Sequence, residues 1–324
     1  MQTLISRNKM GPYLSAPITT KQSDEGANSR LRYGATQMQG WRNTMEDAHI
    51  TQLAADSATA CFGVFDGHGG KEVAIFTARH FVPELLKNRN FQAGQVEAAL
   101  KENFLQIDVL LRAAEGSKEV FRLQRELPEE APVDPKVARD SAANVGCTAV
   151  VAVVQGARLY VANAGDSRCV LARSGKAVPM SEDHKPDLPV ENARIRDAGG
   201  CVIEGRVNGN INLSRSLGDL EYKNTPGLPA ERQAVTANPD VKTMMLTPED
   251  HFLVICCDGI WDILTSQECV DFVYARLQAK PLRQIAEEMC DRCLAKSTME
   301  NEGRGCDNMT AVIIAFNHPL APAS

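Results

Sequence analysis

The acidic residues that border short apolar runs constrain this chain more than any other feature. They are Glu46 and Asp47 in GWRNTMEDAH, Asp66 in VFDGHGG, Asp166 in NAGDSR, Asp258 and Asp262 in CCDGIWD, and Asp307 in CDNMT. Several of the neighbouring apolar runs have the length and composition of buried strands, so the carboxylates are expected to collect at the mouths of a sheet. Gathered carboxylates repel one another unless something positive holds them. A hard divalent cation, Mg²⁺ or Mn²⁺, takes oxygen ligands and keeps several waters, which makes it the expected counter-charge.

The pattern along the chain gives an α+β layering with helices outside and sheets inside, and one catalytic domain. Residues 60–65 read as a buried strand that turns at Asp66-Gly67 into a helix over 70–86, with Val73, Phe76, Phe81 and Leu85 on its apolar face. A second helix is expected over 95–113. Residues 115–144 turn polar and carry Pro128, Pro132 and Pro135, which predicts a solvent-facing insertion of low regularity. Strands over 148–154, 158–162 and 168–172 are separated by Gln155-Gly156 and Gly165-Asp166, with Ser174-Gly175 beyond. Such turns predict consecutive antiparallel hairpins. Residues 184–205 read as a short helix closed by Gly199-Gly200 and a return strand. Two more buried strands are expected at 251–257 and 309–316, with helices over 266–278 and 282–296 between them. Thr265 and Glu268 form a capping box for the first of these helices. Residues 1–30 are polar and without period, so a loosely held arm precedes Leu31, and 319–324 form a tail. Met10-Gly11-x-x-x-Ser15 would match a myristoylation signal only if translation began at Met10.

Composition excludes some functions. A net charge of −6 and a pI near 5.6 argue against a general nucleic-acid binder, which shows a basic face. No apolar stretch approaches the roughly 20 residues of a membrane helix, and no secretory signal opens the chain. An intracellular protein, in the cytoplasm or nucleus and monomeric, is the expectation. Several of the ten cysteines lie inside apolar runs, Cys61, Cys256 and Cys257 among them, and are expected as reduced, buried thiols. Cys290 and Cys293 form a CxxC, but Leu282, Ile285, Met289 and Cys293 recur at helical spacing and no second ligand pair accompanies them, so a core helix is expected there.

Asp66 and Asp258 share one local design: apolar strand, Asp, Gly, change of direction. Asp-Gly alone is an ordinary turn; the joint pattern points to metal. If the strands before Asp66 and Asp258 and after Asp307 end on one side, three carboxylates converge. Paired ions bridged by one of them would lower the pKa of a shared water far below its bulk value. Arg42, upstream of Glu46 and Asp47, offers a guanidinium fork for a phosphoryl group. Glu46 and Asp47 are adjacent, so on a strand their side chains would point to opposite faces; one of them is then expected to hold a metal-bound water. His68, tethered beside Asp66, suits a general acid. His49, His80, His251 and His318 are expected as structural or exposed.

GWRNTMEDAH, VFDGHGG, GCTAVVAVV, LYVANAGDSR, LSRSLGD, ICCDGIWD and CDNMTAVII, in this order from about residue 31 to 316, resemble the type 2C protein phosphatases, the metal-dependent serine/threonine phosphatases of the PPM family. The resemblance implies a central antiparallel β-sandwich flanked by pairs of helices within a catalytic domain over 31–318, with a two-metal site at one end. It implies Asp66 as bridging ligand, Gly67 contributing its carbonyl, and Asp258 and Asp307 completing the shell. Glu46 and Asp47 match the family's acidic pair near the metals, Arg42 its phosphate-binding arginine, His68 its proposed general acid, and Asp166 and Asp262 the carboxylates of a third, weaker metal. Residues 180–225 resemble the flap beside the active site. Ser216 departs from the alanine common in the related motif, a change not expected to abolish activity. The insertion at 115–144 lies outside the motifs and reads as a regulatory or partner surface.

The implied reaction is Mg²⁺- or Mn²⁺-dependent hydrolysis of phosphoserine and phosphothreonine in proteins by a metal-activated water, without a covalent phosphoenzyme. No Cys-x5-Arg loop opens a helix, so cysteine chemistry is not expected. A pseudophosphatase acting as a binding module is the alternative, and it would lack ligand carboxylates that are present here. A two-metal nuclease would share the acids but want a basic channel.

Overall fold

A computed structural model describes residues 13–299 and 301–317. Met10, Gly11, His318 and the tail at 319–324 lie outside the described residues.

Two antiparallel sheets form the centre. One has six strands in the order Tyr13–Ala27, Leu31–Arg42, Met309–Phe316, Asp250–Cys256, Arg168–Arg173 and Lys176–Pro179. The other has five, in the order Asp240–Met245, Arg158–Ala164, Ala149–Gln155, Thr59–Phe65 and Ala48–Gln52. Side chains alternate across each strand, and here both faces are covered. From Thr59–Phe65, the residues Ala60, Phe62 and Val64 join Leu253, Ile255, Val312 and Ile314 between the sheets. Cys61 and Phe65 point the other way and pack with Val73, Phe81 and Phe104 of the helices Glu72–Lys87 and Val96–Arg112. On the far side, Val254, Cys256 and Ile313 meet Val270, Ile285 and Met289 of Ser266–Tyr274 and Leu282–Cys293. Burial on both faces explains why these strands read as continuous apolar runs. The α-β-β-α layering expected from the sequence is present.

The capping box forms: Thr265 accepts from the Glu268 N–H while the Glu268 carboxylate accepts from the Thr265 N–H at 2.8 Å. Cys290 and Cys293 are buried in the helix–sheet core, and all ten cysteines are free. No helix among the described residues is long and apolar enough to cross a membrane.

Three expectations need correction. The arm before Leu31 is, from Tyr13, an edge strand paired along Leu31–Arg42. None of its side chains is fully buried, so ladder hydrogen bonds define it and hydrophobic period does not. Asp24 pins it across the sandwich, accepting from Tyr33 at 2.8 Å and from Thr51 at 2.9 Å and pairing with His49. The insertion at 115–144 is mostly helical, with Ala114–Arg125 and Pro135–Ala142. Pro135 starts a helix here, and Asp134 caps it by accepting from Lys136 and Val137 N–H groups. The hairpins at Gln155-Gly156 and Ser174-Gly175 form, but Gly165-Asp166 carries the chain from one sheet to the other. Gly165 has φ +118° and no room for a β-carbon, which would stand 2.6 Å from Thr148 Cβ.

The excursion after Met180 builds a small unit of its own. The helix Pro189–Asp197 ends near Gly199, and Val202–Ile203 pairs back on Arg206–Val207 over a core of Ile195, Val207, Ala234 and Val235. Buried Arg215 ties it down through Glu191 at 2.6 Å and Asp240 at 2.8 Å.

Candidate active site

Strand register brings the acids together. Cys256 lies opposite Ala311, so the end of Asp250–Cys256 and the start of Met309–Phe316 share one side of the sheet. Asp258 follows the first and Asp307 precedes the second. Met38 lies opposite Met309, which brings Arg42 to the same end. Cys256 also faces Arg168, just after Asp166. In the second sheet Ala48 lies opposite Phe65, setting Asp47 beside Asp66.

Close backbone packing fixes the turns. A β-carbon on Gly67 would stand 2.3 Å from the Glu46 carbonyl oxygen, and one on Gly259 only 2.0 Å from that of Asn308. Asn308 ties the remaining segment: it donates to the carbonyls of Gln39 at 2.8 Å and Thr44 at 2.9 Å, and accepts from the Glu46 N–H at 2.9 Å. Glu46 and Asp47 therefore lie in an irregular stretch before Ala48–Gln52, and the strand geometry expected for them does not apply. Asp47 turns inward and is buried; Glu46 is half-buried and accepts from Thr44 at 2.7 Å.

Arg42, Glu46, Asp66, Gly67, His68, Asp166, Asp258 and Asp307 line one cavity of about 600 Å³. Arg206, Asn210, Leu213 and Tyr222 of the excursion form another part of its wall. Asp47 lies against Asp66, and Asp262 stands exposed one turn beyond Asp258, its N–H donating to the Asp258 carbonyl at 2.8 Å.

The electrostatics are those of a crowded anionic site. Burial, and then the charges of Asp47, Asp258 and Asp307, push the Asp66 carboxyl well above the usual carboxylate range. Burial with Asp166 and Asp307 does the same to Asp258. Asp47 is pushed up to about 6 by burial, against the hydrogen bond it accepts from Thr310 at 2.6 Å. Its other oxygen, Oδ1, is buried with no hydrogen-bond partner among the described residues. Asp262, though exposed, is also raised, by partial desolvation among its neighbours and by Asp166, with Lys185 opposing.

An orphaned carboxylate oxygen among repelling acids is the arrangement a hard divalent cation relieves. Single ligand atoms of Asp47, Asp66 and Cys257 lie within 4.8 Å of one another. Burial holds the Cys257 thiol far above its ordinary range, and a hard divalent cation prefers oxygen to sulfur, so the carboxylates are the fitting donors of this group. The residues fit a hard divalent cation.

Arg42, Lys185 and His68 are among the cationic side chains that border these acids. Arg42 contacts Asp307 at 2.6 Å; burial opposes its charge, but Asp307 more than offsets that. Lys185 pairs with Asp166. His68 Nε2 lies 2.7 Å from Asp219 Oδ2, and although burial disfavours the imidazolium, Asp219 raises its pKa overall. Ser216 donates to that same Asp219 oxygen. Reading the sequence alone does not single out Asp219, Asn308, Lys185 or Thr310. Asn308 and Thr310 sit within the CDNMT motif and Asp219 ends LSRSLGD, but no role is read for them there, and nothing in the local pattern marks Lys185.

The family model described as Protein phosphatase 2C matches residues 31–302. The chain is 47% identical over 310 residues to Protein phosphatase 2C 1 of Paramecium tetraurelia, covering 94% of this chain and 99% of that one. It is 43% identical over 334 residues to the Arabidopsis thaliana protein named "Probable protein phosphatase 2C 21", covering 96% and 94%. Among solved structures, the serine-threonine phosphatase 2C from Toxoplasma gondii superposes with a TM-score of 0.72 at 19% identity, covering 94% of this chain and 98% of that one.

Proposed function

The chain belongs to the protein phosphatase 2C family, and from that premise we propose that it removes phosphate from phosphoserine and phosphothreonine in proteins with Mg²⁺ or Mn²⁺ as cofactor. The observation that carries this reading is the convergence of Asp66, Asp258 and Asp307 in one cavity with Arg42 and His68.

Asp66 would bridge two ions, with the Gly67 carbonyl, Asp258 and Asp307 completing the shell and Glu46 and Asp47 supporting it. Bound there, divalent ions supply a water of lowered pKa and offset charge on the phosphoryl oxygens. Arg42 presents its guanidinium fork to those oxygens, and its contact with Asp307 sets it at the edge of the acidic cluster. His68 would give a proton to the serine or threonine oxygen as it leaves; burial lowers its pKa, but Asp219 raises it overall. Asp166 and Asp262 would take a third, weaker ion, for which Asp166 must part from Lys185. No group here forms a covalent phosphoenzyme. The proposed setting is a monomer acting on phosphoproteins in the cytoplasm or nucleus.

A pseudophosphatase reading is not favoured, because every acid that the motifs carry is present in the chain. The test is phosphate release from a phosphothreonine peptide with Mn²⁺ and with chelator. Metal-dependent release supports the proposal; no release under any metal would overturn it.

A further inference from the structure

The Ser216 hydroxyl is fully buried beside the active-site cavity. It donates to Asp219 Oδ2, the oxygen that also holds His68 Nε2 at 2.7 Å. Asp219 is itself buried and sits at φ +47°, a left-handed conformation uncommon outside glycine.

The surrounding loop is built to hold that conformation. The Asp219 N–H donates to the Val145 carbonyl at 3.0 Å, and the Ser216 N–H to that of Thr236 at 3.1 Å. Buried Lys223 donates to the Ser216 carbonyl at 2.7 Å and to Asp108 at 2.5 Å, while Asp108 also accepts from the Gly218 N–H at 2.8 Å. Bare backbone at Gly146 lets the pair approach: a β-carbon there would lie 2.3 Å from Asp219 Oδ2 and 2.6 Å from His68 Nε2.

We infer that Ser216 is a positioning residue for proton delivery: through Asp219 it fixes the His68 ring by Nε2 and leaves Nδ1 to protonate the leaving oxygen. This rests on the reading of His68 as general acid. A buried carboxylate with a single donor can rock between its two oxygens, and the ring it holds rocks with it. A second donor on the same oxygen removes that freedom. In the step, water forms a bond to phosphorus as the bond to the serine or threonine oxygen breaks with its electron pair. That oxygen takes the Nδ1 proton, and the proton shed by the attacking water balances the one that His68 later regains from solvent.

The experiment compares kcat on a phosphothreonine peptide, whose alkoxide needs a proton, with kcat on p-nitrophenyl phosphate, whose phenolate leaves without one. Ser216→Ala is expected to lower kcat on the peptide roughly tenfold more than on p-nitrophenyl phosphate, with KM little changed. Ser216→Thr, which keeps a hydroxyl, should recover much of the loss. In a His68→Gln background, Ser216→Ala should add nothing to that contrast. Equal losses on both substrates, or the same added loss with His68 absent, would overturn the inference while leaving His68 in its role. If His68→Gln itself shows no leaving-group contrast, the general-acid reading falls, and the role of Ser216 with it. Thermal melts of each variant separate these outcomes from misfolding.

Discussion

Thr310 donates its hydroxyl to Asp47 Oδ2 at 2.6 Å, although the two residues stand 263 positions apart. It is a side-chain donor that helps orient a carboxylate whose other oxygen has no hydrogen-bond partner among the described residues. Thr310→Val should therefore lower Mn²⁺ affinity by about 10–100-fold, the usual cost of losing such support, while Thr310→Ser restores it. Calorimetric titration with Mn²⁺ checks this. Wild-type affinity in the valine variant would place Asp47 outside the ion-binding set.

The repulsion among the acids has a sign that can be measured. Asp66 has a folded-state pKa well above its ordinary value, so its stabilising contribution is complete only below about pH 4 and is lost as pH rises through the folded value. In chelator at pH 7 it costs stability. Asp66→Asn should raise the melting temperature in chelator by a few degrees and abolish the rise that Mn²⁺ gives wild type, about 2.7 kcal/mol when the ion is at 100 times its Kd. A variant that melts lower than wild type in chelator would contradict this account of the site.

Gly259 has no room for a side chain, since its β-carbon would meet the Asn308 carbonyl oxygen at 2.0 Å. Gly259→Ala should cost about 1–3 kcal/mol in denaturant unfolding and also depress phosphate release, because Asn308 ties Gln39, Thr44 and Glu46 together. Unchanged stability and turnover would show that the segment absorbs the displacement.

The excursion over the cavity responds to acid in the opposite sense. Burial disfavours ionised Glu191, but Arg215 and Arg194 prevail and hold its carboxyl at about 2, below the ordinary 4.5. A depressed pKa gives stability that is present above pH 4.5 and lost as pH falls toward 2, on the order of 3 kcal/mol. Glu191→Gln should lose much of it at pH 7 and show a shallower decline between pH 5 and 2 in melting experiments. Equal pH slopes in the two proteins would rule out this origin.

Legibility in the sequence follows where the signal lies. Asp66 and Asp258 stand out because an apolar strand and a glycine bracket each, and the same strands report the two-sheet core. Tyr13–Ala27 escapes a sequence reading because an edge strand with no fully buried side chain carries no hydrophobic period. Pro135 looks like an interruption although, with Asp134 before it, the pair starts a helix. Gly165 has the look of a hairpin turn, and only tertiary packing decides that the chain changes sheet there. Asp219 reaches His68 from 151 positions away, so no local spacing could pair them.

The central claim is that Asp66, with Asp258 and Asp307, holds the divalent ions on which phosphate release depends. Its most direct measurement follows Mn²⁺ binding and phosphate release from one phosphothreonine peptide, in parallel, for wild type and Asp66→Asn. The account predicts that wild type binds Mn²⁺ and turns over only with it, and that the folded variant loses both together. Turnover that persists in chelator, or in Asp66→Asn, would contradict it.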